Sequence, residues 1–228
     1  MSDWRCGVNW NNWSVLWESL AAPLWGGVGG SKISTKLDLL KNLVTRLDRL
    51  AIGGGLANTF LSAHGWNVDA SYAEKALAQT AREIERIADR NHCELLLPTD
   101  VVVAATLESG APTFVRRQGE VHDDERILDV GPETLATLIR ALDNSETLIW
   151  NGLLSVFETP PFDRGTVETA RAAAALTRRG KLVAVAGGGD TVAALNAVGV
   201  AGDFTFVSAA GGAFLEWMAG KAPRRGGA

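Results

Sequence analysis

The segment from Lys181 to Thr191 constrains the fold more than any other part of this 228-residue chain. It runs from the apolar residues 182–186 into Gly187-Gly188-Gly189, Asp190 and a helical pattern. An apolar run of this length is typical of a strand buried on both faces, so the segment predicts a strand, a turn and a helix. Backbone N–H groups at such a helix start are free to bind an anion, and glycines let the main chain approach it. Asp190 sits where a helix cap belongs, and a carboxylate beside phosphate is also suited to hold Mg²⁺. A capped helix that binds nothing is the alternative interpretation.

Charge and composition exclude several classes of protein. The net charge is −4 and no basic run extends beyond Arg224-Arg225, which argues against nucleic acid as a partner. The two cysteines, Cys6 and Cys93, lie far apart and do not form the pattern of a zinc site or a disulfide framework. No apolar run is long enough to cross a bilayer, and the N-terminus lacks the pattern of a secretory signal. We therefore expect a cytoplasmic protein with no nucleic-acid or membrane partner.

Strand and helix patterns alternate from about residue 28 to residue 219. This alternation predicts a single α/β domain with a doubly wound, Rossmann-like parallel sheet and helices on both faces. Residues 94–98, 100–104 and 126–130 are predicted strands of that sheet, and residues 106–124 a loop or small hairpin at its edge. Ligands of such sheets bind at the carboxyl ends of the strands. One rim is therefore expected to carry the glycine turns that follow strands, at Gly29, Gly53, Gly152, Gly187 and Gly211.

Two helix starts in the first half of the chain carry charged residues. Lys32 and Lys36 are predicted to lie in the first turns of a helix, where a spacing of four places both on one face. Cations oppose the macrodipole at a helix N-terminus, so this placement makes sense if both lysines face an anion. Two solvated surface lysines are the alternative. Further along, Ser71 and Glu74 predict a capping box at the start of a helix that runs to about Asn91.

These features supply the chemistry of a polyphosphate site. Paired lysines, the Gly-Gly-Gly-Asp-Thr turn, Asn151 at a strand end and the glycine turn Gly211-Gly212 all fall on the predicted rim. Phosphoryl transfer needs positioned charge and backbone donors around polyphosphate, a metal ligand and little covalent chemistry. A nicotinamide-dependent enzyme is the rival, but the residues from Gly53 onward match Gly-x-Gly-x-x-Gly poorly, and no acidic residue closes a neighbouring strand.

The N-terminal stretch differs from the rest of the chain. Five of the eight tryptophans lie within the first 25 residues, without a clean helical or strand period. An atypical leader is one interpretation, and a partner-binding surface is the other. The predicted organisation is a Trp-rich leader over residues 1–22, a nucleotide-binding domain over 23–221 and a tail over 222–228.

Six motifs follow one another along the domain. They are Gly29-Gly30-Ser31-Lys32 with Lys36, the segment 52–60, Leu97-Pro98-Thr99-Asp100, Trp150-Asn151-Gly152 with Val156-Phe157-Glu158, Phe162 with Gly165-Thr166, and Gly187-Gly188-Gly189-Asp190-Thr191. In this order and spacing they resemble the nucleotide-binding, C-terminal half of phosphoglycerate kinase over about residues 24–221. The resemblance implies a site for Mg-ATP or Mg-ADP in a kinase that transfers a phosphoryl group between 1,3-bisphosphoglycerate and ADP in glycolysis.

The resemblance also implies a role for each matched residue. Catalytic roles fall on Lys32, at the phosphoryl group in flight, and on Gly211 and Gly212, at the start of the helix that faces this group. Lys36 and Asn151 would bind the nucleotide phosphates, and Glu158 would bind the ribose hydroxyls. Adenine would be surrounded by Gly53, Gly54 and Leu128. The terminal phosphates would be bound by Gly188, Gly189, Asp190 and Thr191, with Asp190 also as the metal ligand.

The chain departs from the family pattern in three places. Leu153-Leu154-Ser155 and Ala209-Ala210 replace Pro-Val-Gly and Thr-Gly, and Gly26-Gly27 interrupts the first strand. The phosphoglycerate-binding half of the family has no counterpart in these residues. The expected partners are therefore a nucleotide and a separately encoded phosphoglycerate-binding half. A non-catalytic nucleotide-binding or interaction module is the alternative.

Overall fold

The computed structural model describes residues 20–208 and 211–220, which form nine strands, seven α-helices and two short 3₁₀ helices. The strands are β1 Leu24–Val28, β2 Arg49–Ile52, β3 Glu94–Leu96, β4 Asp100–Ala104, β5 Phe114–Arg117, β6 Arg126–Val130, β7 Thr147–Asn151, β8 Val183–Gly187 and β9 Phe206–Ser208. The α-helices are α1 Leu37–Leu43, α2 Gly54–Ala63, α3 Ala78–Arg90, α4 Pro132–Asp143, α5 Arg164–Arg178, α6 Gly189–Val198 and α7 Gly211–Met218. Short 3₁₀ helices span Lys75–Leu77 and Ala201–Asp203.

Six parallel strands form the main sheet in the order β3-β2-β1-β7-β8-β9. The chain builds outward from β1 to β3 and then, after a long crossover, outward from β7 to β9 on the other side. The strand order therefore reverses between β1 and β7, where Val28 is in register with Asn151. A crevice opens at such a reversal, beyond the carboxyl ends of the strands. The predicted fold class is confirmed.

Each face of this sheet supports its own hydrophobic core. Alternate residues of β7 belong to different cores: Ile149 packs with α1, α2, α3 and α7, whereas Leu148 and Trp150 pack with α4, α5 and α6. Because successive side chains of a strand point to opposite faces, the two cores lie on opposite sides of the sheet. Helices thus cover both faces, as the alternation of strand and helix patterns predicts.

Three strands form a separate antiparallel sheet in the order β5-β4-β6. The prediction that residues 100–104 and 126–130 belong to the main sheet is wrong, although both segments are strands. Short apolar runs suit a strand of either sheet, and their composition does not encode the pairing. Residues 106–124, predicted as a loop or small hairpin, contain one strand, β5, which pairs antiparallel with β4 just before that segment.

Two buried aspartates of the small sheet bond to the starts of neighbouring helices. Asp100 accepts a hydrogen bond from the backbone N–H of Thr134 in α4 at 2.7 Å. Asp129 accepts one from the N–H of Gly165 in α5 at 2.9 Å and one from the N–H of Val130 at 2.7 Å. Burial raises the pKa of Asp129 to about 7, although these backbone donors favour its charged form. These hydrogen bonds fix the small sheet against α4 and α5, two helices that pack on the main sheet.

The two glycines of β1 make room for large neighbouring side chains. A Cβ on Gly26 would overlap the side chain of Leu47, and one on Gly27 would lie 2.9 Å from the Trp25 ring. Trp25 and Trp150 are both fully buried on this part of the sheet. The interruption of the apolar pattern in β1 therefore reflects close packing in the centre of the sheet.

The two predicted helix starts differ from the prediction. Lys36 occupies the residue before α1, with φ −123°, and Lys32 lies in the preceding turn, so the two lysines do not share a helix face. Glu74 does not cap a helix, because α3 begins only at Ala78 and the Glu74 carboxylate accepts hydrogen bonds from Ser34. In both cases a long-range hydrogen-bond network replaces the local helical turn that the spacing indicates.

No helix within residues 20–208 and 211–220 is long and apolar enough to span a membrane. Most of the Trp-rich leader, Cys6, Ala209-Ala210 and the tail lie outside the described residues.

Candidate functional site

A cavity of about 880 Å³ lies where the strand order reverses, at the carboxyl ends of β1 and β7. The turns after β1, β2, β7 and β8 contribute to its wall, together with β6 and the loops that surround it. The predicted site residues that line it are Lys36, Gly54, Leu128, Asn151, Glu158, Gly188, Gly189, Asp190 and Thr191. One cavity therefore collects residues from distant parts of the chain.

Lys36 places a cation in the wall of this cavity. Its ammonium donates hydrogen bonds to the carbonyl oxygen of Gly29 at 2.6 Å and to Oδ1 of Asn151 at 2.8 Å. Burial lowers the pKa of Lys36 to about 8, and the negative charge of Asp190 opposes this shift only in part. The protein alone therefore does not fully offset the energetic cost of burying the charged form of Lys36. A polyanion in the cavity would supply the missing negative charge.

Asn151 links Lys36 to the glycine turn after β8. While its Oδ1 accepts from Lys36, its Nδ2 donates to the carbonyl oxygen of Gly187 at 2.8 Å, and the residue is 3% exposed. Gly188 follows with φ +100°, and a Cβ there would lie 2.7 Å from Asn151 Nδ2. Only glycine fits this turn, because both its conformation and its space exclude a side chain.

The turn Gly188 to Thr191 forms the N-terminus of α6. No side chain caps this helix, and Asp190 is its second residue, so the prediction of Asp190 as a cap is wrong. The hydroxyl of Thr191 accepts a hydrogen bond from the N–H of Gly152 at 2.7 Å, which ties the turns after β7 and β8 together. The backbone donors of the first helical turn border the cavity, where they are suited to an anion.

Asp190 is an exposed carboxylate on the cavity wall. Within the described part of the chain, no group of three or more His, Cys, Asp or Glu side chains could hold a metal ion. Mg²⁺ is commonly held by one or two carboxylates together with substrate phosphates and water. The donor set therefore fits a metal that arrives with a phosphorylated ligand and does not form a metal site of its own.

Glycines let the loops at this end of the sheet stack closely. A Cβ on Gly29 would overlap the carbonyl oxygen of Leu153, and one on Gly53 would lie 2.5 Å from Cα of Leu154. Gly54 donates its N–H to the carbonyl oxygen of Leu154 at 3.1 Å. Gly53 is consequently covered by Leu154 and is not among the residues that line the cavity.

Two further predicted residues, Lys32 and Gly212, also lie outside the cavity wall. Lys32 is exposed in the turn before Lys36, and Gly211 and Gly212 are the first two residues of α7. From α7, Leu215 reaches the cavity.

An apolar part of the wall was not anticipated. Tyr72 and Leu107 line the cavity with exposed fractions of 50% and 42%, near the predicted Leu128 and Glu158. Asn58 of α2 lines it as well but is 3% exposed. Tyr72 and Leu107 come from segments without a glycine motif, so neither spacing nor composition identifies them. Asn58 falls within the motif of residues 52–60, but the sequence analysis assigns it no role.

Comparisons with known proteins agree with this geometry. Residues 10–221 match the family described as Phosphoglycerate kinase. The chain is 64% identical over 199 residues to a phosphoglycerate kinase of Caulobacter vibrioides strain NA1000 / CB15N, covering 87% of this chain and 50% of that protein. It is 55% identical over 204 residues to that of Maricaulis maris, covering 90% and 51%.

Solved structures show the same similarity. The structure of phosphoglycerate kinase from Coxiella burnetii superposes with a TM-score of 0.88 at 40% identity, covering 93% of this chain and 54% of that one. The enzyme from Pyrococcus horikoshii OT3 gives a TM-score of 0.75 at 25% identity, covering 93% and 53%. The chain belongs to the phosphoglycerate kinase family. It spans about half the length of the curated relatives it matches.

One departure from the phosphoglycerate kinase pattern is accommodated in the wall of the cavity. Ser155 is buried, and its hydroxyl lies 2.7 Å from Oγ1 of Thr166. Thr166 also accepts the N–H of Leu154 at 3.2 Å. The side chain that replaces the family glycine is therefore hydrogen-bonded to α5.

Proposed function

We propose that this chain is the nucleotide-binding half of a phosphoglycerate kinase and binds ADP or ATP with Mg²⁺ in the cavity between β1 and β7. The family reaction moves a phosphoryl group from the acyl phosphate of 1,3-bisphosphoglycerate to a terminal oxygen of ADP, as a cytoplasmic step of glycolysis. The observation that carries the proposal is that Lys36, Asn151 and Asp190, far apart in sequence, line the same cavity.

The phosphates fit the part of the cavity that the main sheet supplies. Lys36 offers a cation whose low pKa a polyanion would raise, and the first turn of α6, from Gly189, offers backbone donors. Asp190 would hold Mg²⁺ jointly with the phosphates, and the bound metal would offset their negative charge. Because both amide atoms of Asn151 bond to protein groups, we assign it the additional task of orienting the Lys36 ammonium.

The base and ribose fit the apolar part of the wall. Tyr72, Leu107 and Leu128 offer apolar surface to a flat ring, and Glu158 offers a carboxylate to ribose hydroxyls. Ligand pockets are commonly mostly apolar, with a few polar groups that fix orientation. The apolar and phosphate-binding regions are thus complementary to the two parts of one nucleotide.

Transfer itself would use residues from the segment before α1 and from the start of α7. We assign Lys32 to the transferred phosphoryl group, and Gly211 and Gly212 to the start of the helix that faces the same group. The role of these residues is positioning and charge stabilisation, which supply most of the catalysis in phosphoryl transfer. The phosphoglycerate-binding half of the family would supply the site for the other substrate.

Calorimetric titration with ADP in the presence of Mg²⁺ tests the binding step. We expect saturable binding of one nucleotide per chain, and its absence would contradict the proposal. Preferential binding of NAD over ADP in the same titration would instead favour a nicotinamide-dependent enzyme.

A coupled kinase assay tests the catalytic step. The chain is mixed with the separately expressed phosphoglycerate-binding half of a relative, and turnover is expected only in the mixture. A non-catalytic nucleotide-binding module is the second candidate. Binding without turnover in the mixture would favour that candidate.

A further inference from the structure

Glu74 connects two segments of the chain that border the cavity. It lies two residues after Tyr72 of the cavity wall, and its carboxylate contacts the turn between β1 and α1, which carries Lys32 and Lys36. The backbone N–H of Ser34 in this turn donates to Oε2 of Glu74 at 2.9 Å, and the hydroxyl of Ser34 donates to Oε1 at 2.7 Å. Each carboxylate oxygen thus binds one donor of the same residue.

Glu74 is itself held in place by α2. Its backbone N–H donates to Oγ1 of Thr59 at 3.0 Å, and Thr59 is fully buried in α2. Its carbonyl oxygen accepts the N–H of Leu77 at 2.8 Å, where the 3₁₀ helix Lys75–Leu77 follows. The carboxylate therefore extends from a fixed backbone, and it attaches the turn before α1 to α2.

The contact with Ser34 keeps the carboxylate of Glu74 charged. Both donors of Ser34, and to a smaller extent the positive charge of Lys32, hold the pKa of Glu74 below its usual value. An ionised carboxylate only accepts hydrogen bonds, so both oxygens stay available to the two donors. The contact is therefore formed at neutral pH, with charge-assisted hydrogen bonds.

The two lysines of the turn depend on this contact to different degrees. The ammonium of Lys36 is fixed by its own bonds to the carbonyl oxygen of Gly29 and to Asn151. Lys32 is exposed, so the region that its side chain can reach follows from the backbone of the turn. Loss of the bonds to Ser34 should therefore displace Lys32 and leave the ammonium of Lys36 in place.

We propose that Glu74 is a positioning residue for phosphoryl transfer, which holds Ser34 so that Lys32 reaches the transferred group. The inference rests on the proposed function, in which Lys32 is assigned to that group. Glu74 is not among the residues that line the cavity, so it acts on the ligand through the turn. Catalysis of phosphoryl transfer depends on positioned charge, and a small displacement of a positioned group is costly.

Titration of the full chain with ATP and with ADP, each with Mg²⁺, tests the inference, because ATP carries the transferable phosphoryl group and ADP does not. Lys32→Met should weaken ATP binding about tenfold and leave the affinity for ADP unchanged. Glu74→Ala removes both acceptors and should weaken ATP binding about fivefold, again without an effect on ADP. Because Glu74 acts through Lys32, the double variant should bind ATP no more weakly than Lys32→Met alone.

Two matched variants separate positioning from an effect of charge. Glu74→Gln keeps two hydrogen bonds, since its amide oxygen accepts from the N–H of Ser34 and its amide nitrogen donates to the hydroxyl. It should bind ATP as wild type does, and a loss as large as that of Glu74→Ala would overturn the inference. Asp69→Ala removes a carboxylate of the same segment that pairs with Lys75. It should leave both affinities unchanged, and a loss of ATP affinity equal to that of Glu74→Ala would also overturn the inference.

The outcomes distinguish the inference from the function on which it rests. Failure of wild type to bind either nucleotide overturns the proposed function and this inference with it. Binding of both nucleotides with the same ATP-to-ADP affinity ratio in wild type and Glu74→Ala overturns the inference alone. A wild-type ratio in Lys32→Met overturns the role of Lys32 and the inference, while the nucleotide site stands.

Thermal melting establishes that each variant folds. If Glu74→Ala does not fold, Ser34→Ala replaces it, because this variant removes the hydroxyl donor of the same contact and keeps the backbone donor. Its expected loss of ATP affinity is about twofold, with ADP unchanged. An unchanged ratio in Ser34→Ala then overturns the inference.

Discussion

The region of the cavity that is proposed to bind phosphates, called the phosphate region, and the apolar region are built in different ways. The phosphate region consists of loops from the parallel sheet that pack backbone against backbone, as Gly29 does against Leu153. The apolar region consists of side chains from the small sheet and adjoining loops, and two of them, Tyr72 and Leu107, are substantially exposed. The first region is therefore determined by backbone geometry and tolerates little change. The second is determined by surface contact and can be altered without disturbing the fold.

The largest effect is expected where a methyl group enters the phosphate region. Gly29→Ala places a Cβ on the Leu153 carbonyl oxygen, so the stacked loops must separate. We expect the free energy of unfolding to fall by about 3 kcal/mol, measured by urea denaturation. Gly189→Ala is the matched control, since no atom lies within 4 Å of the added Cβ. Equal stability of the two variants would contradict the backbone-packed description of this region.

Removal of the partly buried cation of Lys36 should affect ligand binding more than folding. Lys36→Met deletes the charge that faces the phosphates, and the affinity for ADP should fall by about 100-fold, or roughly 2.7 kcal/mol. The affinity for adenosine should be unchanged. Lys41→Met, at an exposed lysine on α1, is the control and should bind ADP normally. An equal loss for adenosine and ADP would place Lys36 outside the phosphate subsite.

The same lysine predicts a pH dependence. Lys36 has a pKa of about 8, so in the free protein it is charged below this pH and neutral above it. Bound phosphate would raise that pKa, and binding near pH 8 should therefore take up a proton. The affinity of wild type for ADP should decrease about tenfold from pH 7 to pH 9. Calorimetry in buffers of different ionisation enthalpy measures the uptake, and Lys36→Met should show none of it.

A smaller effect is expected in the apolar region. Leu107→Ala removes exposed apolar surface from the cavity wall, so ADP and adenosine should both bind about three- to tenfold more weakly. Pyrophosphate binding and the melting temperature should be unchanged. Val115→Ala is the control, because Val115 is similarly exposed but does not line the cavity. Reduced pyrophosphate binding in Leu107→Ala would contradict the division of the cavity into two regions.

The smallest effect is expected at Asp190, the proposed metal ligand. Asp190→Ala should reduce the gain in ADP affinity that Mg²⁺ provides, by about fivefold, because phosphates and water supply the remaining ligands. With a chelator present, the variant should bind ADP at least as well as wild type, since a negative charge beside the phosphates is gone. Unchanged affinity in Mg²⁺ would show that Asp190 does not hold the metal.

Features that depend on the local sequence could be predicted, whereas features that depend on contacts between distant segments could not. The glycine turns after β1, β2, β7 and β8 follow from apolar runs that end in glycine, so the parallel sheet and the position of these turns at one edge of it were predictable. The pairing of β4 with β6 was not, because neither strand contains a signal for its neighbour. Lys36 was identified, but its bonds to Gly29 and Asn151 depend on the β1 and β7 register. The positions of Tyr72 and Asn58 in the cavity wall could not be predicted, because the hydrogen bond between them joins two separate segments of the chain.

Phe214 of α7 packs its ring onto Gly187, the last residue of β8, where any Cβ would overlap it. Asn42 of α1 donates to the carbonyl oxygen of Met218 at 2.6 Å and holds the other end of the same helix. Helix α7 thus packs directly against the residue that precedes the Gly188 turn. A chimaera that exchanges α7 between relatives should therefore exchange β8 and α1 as well, because α7 packs against both segments.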